Sequence, residues 1–579
     1  MAIGGRRLSD AGVTWQHSVT IGTLVGTNRD YCGSWKRSHT HVHARTTTYA
    51  GRTPVSPVAP RPRPVPSNEL PTYADLVPAP VSVEPVGGEH WTLTADTAVH
   101  THPAPVAVAV AEHLAAVLRR ATGHPVPVVA DDGPGQIRLR FARDGVPEHG
   151  EGYRLDVTAD GVTVAARTAA GLFHGTQTLR QLLPAQVEGG AAGPGPWTVP
   201  AGRVVDHPRF AYRGAMLDVA RHFRPVADVL RFIDLIALYK INHLHLHLTD
   251  DQGWRIAIDN WPLLGEYGGA GEVGDGPGGH YSKADYRRIV EYAATRAITV
   301  VPEIDVPGHT NAALAAYAEL SPDRTSPPRY TGTEVGFSAL AVHSETTYDF
   351  LHDVFTEIAA LTPGPYLHIG GDEAFKVPAD DYATFMAKTQ PLVVATGKTV
   401  MGWHQLAVTT HSPGRVVQFW GTSDSDDTVT DAVRRGARVV LSPANRVYLD
   451  MKYAPDTPVG HDWAGLLEVR DAYDWDPGSF LAGVPESAVL GVEAPLWTES
   501  VTTMAEVELM LFPRLAAVAE LGWSPAGSRD WTGFARRLAA QAPRWTAAGI
   551  TFHRSPQIPW PAAGDVPSAA QAPAQPQAT

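Results

Sequence analysis

Cysteine is nearly missing from this sequence: Cys32 is the single one in 579 residues. That excludes intramolecular disulfides and cysteine-based metal sites. A large core can do without disulfides, so the compartment stays open on this count. Positive charge is also short. Lys and Arg number 47 against 60 Asp and Glu, a formal net charge of -13. No basic field would collect phosphates, which argues against a nucleic-acid binder and gives no reason to expect docking on an anionic membrane. Long apolar runs are missing as well, and none approaches a membrane span. Arg6 and Arg7 near the start lack the apolar core of an export signal, because Ser18, Thr20, Thr23, Asn28 and Asp30 interrupt the region that follows. What remains is an ordinary globular composition, 44% hydrophobic and 18% charged, in a chain long enough for two or three domains.

Four regions follow one another. Residues 1–79 read as a disordered leader, with a stretch from Pro54 to Pro66 dominated by proline, valine and arginine. Residues 80–205 read as a small α/β domain. Its strand candidates include Gln136 to Phe141, Gly152 to Thr158 and Gly161 to Ala165, and its helices Val106 to Thr122 and Ala169 to Leu183. The turn Ala159-Asp160-Gly161 between two alternating runs marks a hairpin. Residues 206–561 alternate strands with helices. Strand-like runs fall at Arg213 to Val219, Ile241 to Leu248, Ile298 to Ile304, Tyr366 to Ile369, Thr399 to Trp403, Val416 to Trp420, Ala437 to Leu441 and Val489 to Val492. Helices are expected at Pro225 to Tyr239, Lys283 to Arg296, Tyr348 to Leu361 and Ala505 to Leu521, whereas the fifth and seventh carry little signal. Eight such units predict a (β/α)₈ TIM barrel with long loops and a C-terminal helix. Residues 562–579, rich in Ala, Pro and Gln, read as a disordered tail.

Nearly every barrel strand ends in polar or aromatic residues: Asp218 to His222, Thr249 to Trp254, Glu303 to His309, Gly370 to Glu373, Trp403-His404, Trp420, Tyr448 to Asp450 and Trp497 to Glu499. A barrel gathers these ends on one face. Carboxylates interleaved with tryptophans suit a sugar, whose apolar ring face stacks on indole while its hydroxyls take bonds from Asp, Glu and Arg. The segment His368-Ile369-Gly370-Gly371-Asp372-Glu373-Ala374 is the sharpest, because paired glycines let the backbone turn closely beneath a ligand. Glycoside cleavage usually takes two carboxylates flanking the scissile bond. Adjacent residues on an extended backbone point to opposite faces, so Asp372 and Glu373 do not easily form that pair. The blander alternative makes Asp372 a helix N-cap. His243, His245 and His247 share one strand face, which is either a metal site of a barrel hydrolase or a row of hydrogen-bonded core histidines. A barrel that binds sugar without cleaving it is the third reading.

Taken together, these segments resemble glycoside hydrolase family 20, the β-N-acetylhexosaminidases and chitobiases. The resemblance runs from Arg213 to Trp523, with a weaker match in the small domain. It is carried by Leu217 to Phe223, Leu246 to Arg255, Glu303 to Thr310, His368 to Ala374, Trp403, Gln418 to Trp420, Tyr448 to Asp450 and Pro495 to Glu499. The resemblance implies an exo-acting enzyme that needs no cofactor and acts on N-acetylhexosamine glycans or chitooligosaccharides. It implies Glu373 as general acid and Asp372 as the residue orienting the substrate's 2-acetamido group, whose carbonyl attacks the anomeric carbon. This substrate-assisted scheme is a known exception to the two-carboxylate rule. It further implies Tyr448 as hydroxyl donor to the acetamido oxygen and Trp403, Trp420 and Trp497 as pocket walls. Arg221, Asp450 and Glu499 would be hydroxyl binders, and Asp250 with His309 a relay to Glu373. Many members are secreted, whereas this leader lacks a clear export signal, so extracellular and cytoplasmic locations both stay open. The glycine-rich loop from Gly265 to His280 departs from the pattern and bears on what lies beyond the first sugar.

Overall fold

A computed structural model describes residues 71–409 and 414–561. The leader, apart from residues 71–79, and the tail lie outside the described residues. The short stretch 71–79 corrects the leader boundary. Tyr73, Leu76 and Val77 are buried, and the Val77 and Ala79 amides donate to Gln181 (3.0 Å) and Glu520 (3.0 Å). Three apolar side chains with core on offset the cost of ordering this piece.

The small domain is a seven-stranded sheet in the spatial order Ser82–Leu93, Trp197–Asp206, Tyr153–Thr158, Gly161–Ala166, Ile137–Phe141, Val99–Thr101 and Val128–Val129. The helices Pro105–Thr122 and Ala169–Leu182 pack on it. The expected hairpin is present, with Tyr153–Thr158 antiparallel to Gly161–Ala166 and Thr158 opposite Gly161. Alternation fixes the register, since Ile137, Leu139, Leu155 and Val164 are all buried. Polar bonds tie the domain to the barrel. Asp206 accepts from Tyr153 (2.7 Å) and Trp523 (2.9 Å), and Lys240 lies 3.4 Å away.

The eight barrel strands are Tyr212–Asp218, His243–His247, Thr299–Glu303, Tyr366–His368, Thr399–Trp403, Val416–Phe419, Arg438–Leu441 and Val489–Leu496. They form a closed parallel barrel in chain order. Every strand coincides with an expected run. The two helices with weak sequence signal are weak in the structure too. The fifth is a 3₁₀ segment, His404–Val408, and the seventh is broken into Ala444–Val447 and Val469–Tyr473. The register aligns Asp218 with His247, His247 with Glu303 and Glu303 with His368. These four side chains therefore occupy one layer at the C-terminal end of the barrel. Beneath it, Tyr212, Val301, Met401, Val416 and Val440 fill the lower interior.

Candidate active site

The catalytic loop follows the short strand Tyr366–His368. Gly370 (φ 59°), Gly371 (φ 102°) and Glu373 (φ 45°) all take left-handed conformations. A methyl group on Gly370 would sit 1.7 Å from an Asp305 carboxylate oxygen, and one on Gly371 would sit 2.9 Å from the Tyr382 hydroxyl. Only glycine fits these two positions. The contorted backbone changes one expectation. Asp372 and Glu373 are not on extended chain, so their side chains do not diverge. With His309, they bring donor atoms within 4.8 Å of one another. The N-cap alternative fails as well, because the next helix starts only at Ala379.

His309, itself at φ 55°, is the hub. Its Nδ1 lies 3.2 Å from Asp250, and its Nε2 lies 3.5 Å from Glu373 and 3.8 Å from Asp372. The side chain of Asp372 is 11% exposed and that of Glu373 26%, so Glu373 faces the mouth and Asp372 the interior. Burial, reinforced by the Glu373 charge and opposed by His309, pushes the Asp372 carboxyl up to about 6. Burial opposes ionisation of Asp250 too, but the Arg221 and His309 charges hold it well below the usual carboxylate range. Asp250 and Asp372, on opposite nitrogens of His309, thus titrate in opposite directions, a pattern of acid–base sites.

The chain of polar contacts continues downward. His247 bridges Asp250 (2.8 Å) and Glu303 (2.5 Å), and Glu303 also accepts from the Trp403 indole (2.9 Å). His245 sits between Glu303 (3.0 Å) and Glu493 (2.8 Å), and Glu493 accepts from Tyr212 (2.5 Å) and Gln418 (2.6 Å). Sequence reasoning missed Glu493 and Tyr212, which lie inside apolar runs with no motif around them.

Around the pair stand the walls. Trp403 is fully buried and forms the floor, its ring 5.7 Å from Trp497. Trp497 stacks under the Arg221 guanidinium (4.9 Å) and lies 6.4 Å from Tyr448. Arg221 pairs with Asp250 (2.8 Å), Asp218 (3.4 Å) and Glu499 (3.6 Å). Trp420 joins through Trp463, whose ring lies 6.1 Å from Trp420 and 5.9 Å from Tyr448. Asp450 is buried beside Glu499. Burial first, then the Glu499 charge, pushes it up to about 7. All eleven residues singled out from the sequence join this one cluster. Trp463 and His461, which lies 3.6 Å from Glu499, were missed because they sit mid-loop, where no strand end marks them. The Gly265–His280 loop is pinned beside Arg221: buried Arg255 donates to the carbonyls of Gly269 (2.9 Å), Gly271 (2.8 Å) and Gly279 (3.0 Å).

The three strand histidines do not converge. Same-face residues are two apart and so separated by roughly 6.6 Å along a strand, which puts them in successive layers. His243 stacks on Tyr212 (3.9 Å), whereas His245 and His247 are bonded as above. Four groups among the described residues have the spacing to hold a cation: His245, Glu303 and His368; His247, Glu303 and Asp305; Asp250, Asp305 and His309; and His309, Asp372 and Glu373. None contains two of the three strand histidines.

A closed barrel whose C-terminal rim brings carboxylates, a buried histidine and indole rings together has the architecture of a glycoside hydrolase. The chain belongs to glycosyl hydrolase family 20: residues 210–379 and 374–526 match its catalytic domain, and residues 73–207 match its domain 2. It is similar to a β-N-acetylhexosaminidase of Cellulomonas fimi, 46% identical over 497 residues spanning 86% of this chain and 99% of that one. A solved mutant β-hexosaminidase of Streptomyces plicatus, in complex with the product GlcNAc, matches with a TM-score of 0.82 at 56% identity, covering 86% of this chain and 99% of that one. An N,N'-diacetylchitobiase of Vibrio harveyi is 28% identical over 527 residues, 70% of this chain and 57% of that one. The activity is glycoside hydrolysis of the β-N-acetylhexosaminidase class.

Proposed function

We propose that the chain releases terminal non-reducing N-acetylglucosamine or N-acetylgalactosamine from glycans and chitooligosaccharides, with the substrate's own 2-acetamido group as nucleophile. Glu373 protonates the glycosidic oxygen as the acetamido carbonyl oxygen bonds to the anomeric carbon and the leaving group departs. Asp372 holds the amide N–H and balances the positive charge that grows on the ring-closing group. Water then opens the oxazolinium and returns a proton to Glu373, with net retention. Tyr448 donates to the acetamido oxygen, and Trp403, Trp420 and Trp497 enclose the sugar. Arg221, Asp450 and Glu499 bind its hydroxyls, and Asp250 acts on Glu373 through His309. Residues 80–205 form the accessory domain in this reading and residues 206–561 the catalytic one.

The observation that carries the proposal is the shared histidine. Asp372 and Glu373 both lie within 4 Å of His309 Nε2, on one side of the pocket. A retaining enzyme with a protein nucleophile separates its carboxyl groups by about 5–5.5 Å across the bond to be cut. Two carboxylates adjacent in the chain and gathered on one imidazole support a reading in which the acetamido group, rather than the second carboxylate, is the nucleophile. The amino sugar itself is supported by the GlcNAc held by the Streptomyces plicatus relative and by the chitobiase name of the Vibrio harveyi one.

Leaving-group chemistry tests the acid. Glu373→Gln is expected to lose about 10²- to 10⁴-fold in rate on a chitooligosaccharide, the usual share of a general acid. The loss on a nitrophenyl glycoside, whose leaving group needs little protonation, is expected to be much smaller. Equal losses on both substrates would remove Glu373 from the role.

A further inference from the structure

The seam between the small domain and the barrel encloses a second cavity, of about 340 Å³, lined by none of the residues of the catalytic cluster. From the small domain come Arg120 on the helix Pro105–Thr122 and Arg180 on the helix Ala169–Leu182. From the barrel come Arg231 on the helix Val226–Ala237 and Arg296, just past the helix Lys283–Ala294. Two carboxylates line it with them, Glu188 beside Arg180 and Asp234 at 3.0 Å from Arg296. Arg231 is held by Glu508 (2.9 Å). Arg120 donates to the Gly189 carbonyl (3.3 Å) and pairs with no carboxylate among the described residues. The cavity therefore carries excess positive charge.

Two polar atoms lining it are buried and have no partner: Nε of Arg180 and Nε2 of His113. Arg180 is only 7% exposed. An unmatched guanidinium N–H away from water costs free energy unless something accepts from it. The positive field is felt by His113. Burial, then the charges of Arg180, Arg296 and Arg120, hold its imidazole well below the ordinary value, so the ring is neutral and can still donate.

We propose that this seam binds a small, doubly charged oxyanion carried on a body about the size of a monosaccharide, as in a sugar phosphate. Guanidinium forks from two domains suit a phosphoryl or similar group, and the volume lies at the small end of ligand pockets, which run from about 300 Å³. A ligand bridging the two domains stabilises the chain by mass action without touching the catalytic rim. The inference does not depend on the catalytic assignment, since its readout is binding and its residues lie outside that cluster.

The test uses the full chain and glucose 6-phosphate as probe, with inorganic phosphate, glucose and sodium chloride at matched ionic strength as comparisons. Titration calorimetry is expected to show saturable binding of the sugar phosphate and a matching rise in Tm, neither seen with glucose or chloride. If inorganic phosphate binds as tightly, the occupant is the free ion in the same cationic seam. Arg296→Gln is expected to weaken binding about tenfold or more, the usual share of one charge-assisted bond. Because Arg296 also holds Asp234, Arg120→Gln serves as the variant free of that pairing, and it should weaken binding while turnover of a chromogenic N-acetylglucosaminide stays unchanged. No saturable binding by either phosphate compound, or binding that both arginine variants retain in full, would overturn the proposal.

Discussion

Tyr153 in the small domain and Asp372 at the barrel rim are both buried polar groups, yet their surroundings differ. The Tyr153 hydroxyl sits 2.6 Å from Thr178 and donates to Asp206 at 2.7 Å. In the same domain Glu151 is matched to Arg213, His174 (2.8 Å) and Asn242 (3.0 Å). At the rim, Asp251, Asp305, Asp372, Asp450 and Glu499 each keep a buried oxygen with no hydrogen-bond partner. A buried polar atom left unmatched costs about 1–3 kcal/mol. The rim concentrates that cost on five carboxylates, whereas the small domain carries it only at scattered donors, Thr101, His174 and the arginine-lined seam. At the rim, backbone strain is added to this, since His309 and Glu373 both hold positive φ. Unspent bonding capacity gathered on one cluster of carboxylates marks where a ligand completes the structure, and near-complete pairing marks where the chain only has to fold.

The largest expected effect tests the rim half of that contrast. Asp372→Asn keeps the shape but removes the charge that, in the proposed mechanism, gains a partner only as the ring closes. The expected loss in kcat is about 10²- to 10³-fold, comparable with deleting one preorganised electrostatic group, with KM nearly unchanged. Stability should move the other way. The folded-state pKa of Asp372 is raised from 3.8 to about 6, so stability is lost as pH rises from the unfolded value towards 6 and the full penalty is in place above it. Above pH 6 the variant is therefore expected to melt higher than the parent, read by thermal unfolding at pH 7. A variant that lost both activity and Tm would break the comparison.

The small domain should answer in reverse. Leu139 is fully buried in the sheet, and Leu139→Ala is expected to cost about 2–5 kcal/mol of stability through lost burial and a residual cavity. Denaturant unfolding measures the loss, and kcat per folded molecule is expected to stay at the parental value. A fall in kcat would mean that the small domain shapes the rim.

How much of this was legible beforehand depends on whether the signal was local. Each barrel strand is a short apolar run closed by a polar strand end, so periodicity and punctuation sufficed, and the eleven rim residues came with the strand ends and their motifs. The weak fifth and seventh helices were weak in both views, because His404–Val408 and Ala444–Val447 are too short to build a 3.6-residue pattern. What stayed hidden was set by tertiary structure. Glu493 meets Tyr212 and His245 only when the barrel closes, joining its last strand to its first. Trp463 reaches Tyr448 from mid-loop. The left-handed turn at Glu373, which brings the two carboxylates onto one histidine, contradicts the extended chain that local rules favour.

The smallest effect concerns pH and the neighbour of Asp372. Asp305 neighbours Asp372, each shifting the titration of the other, and accepts from the Gly371 amide (2.9 Å). Burial, then the Asp372 charge, raises the Asp305 carboxyl well above the usual range. Two buried carboxyls side by side do not both ionise, so Asp305 keeps the proton and donates it to Asp372, lowering the pKa of its partner. In the proposed mechanism Asp372 acts in its ionised form. The acid limb of kcat/KM, which reports the free enzyme, is therefore expected near pH 6 and to fall about tenfold per unit below it. Asp305→Asn retains both an acceptor for Gly371 and a donor for Asp372, and its limb should stay in position. Asp305→Ala removes the donor, and its limb should move to higher pH by about one unit or less, the size of one lost hydrogen bond. A limb that moves downward in Asp305→Ala would mean that Asp305 carries the negative charge and Asp372 the shared proton, reversing their roles.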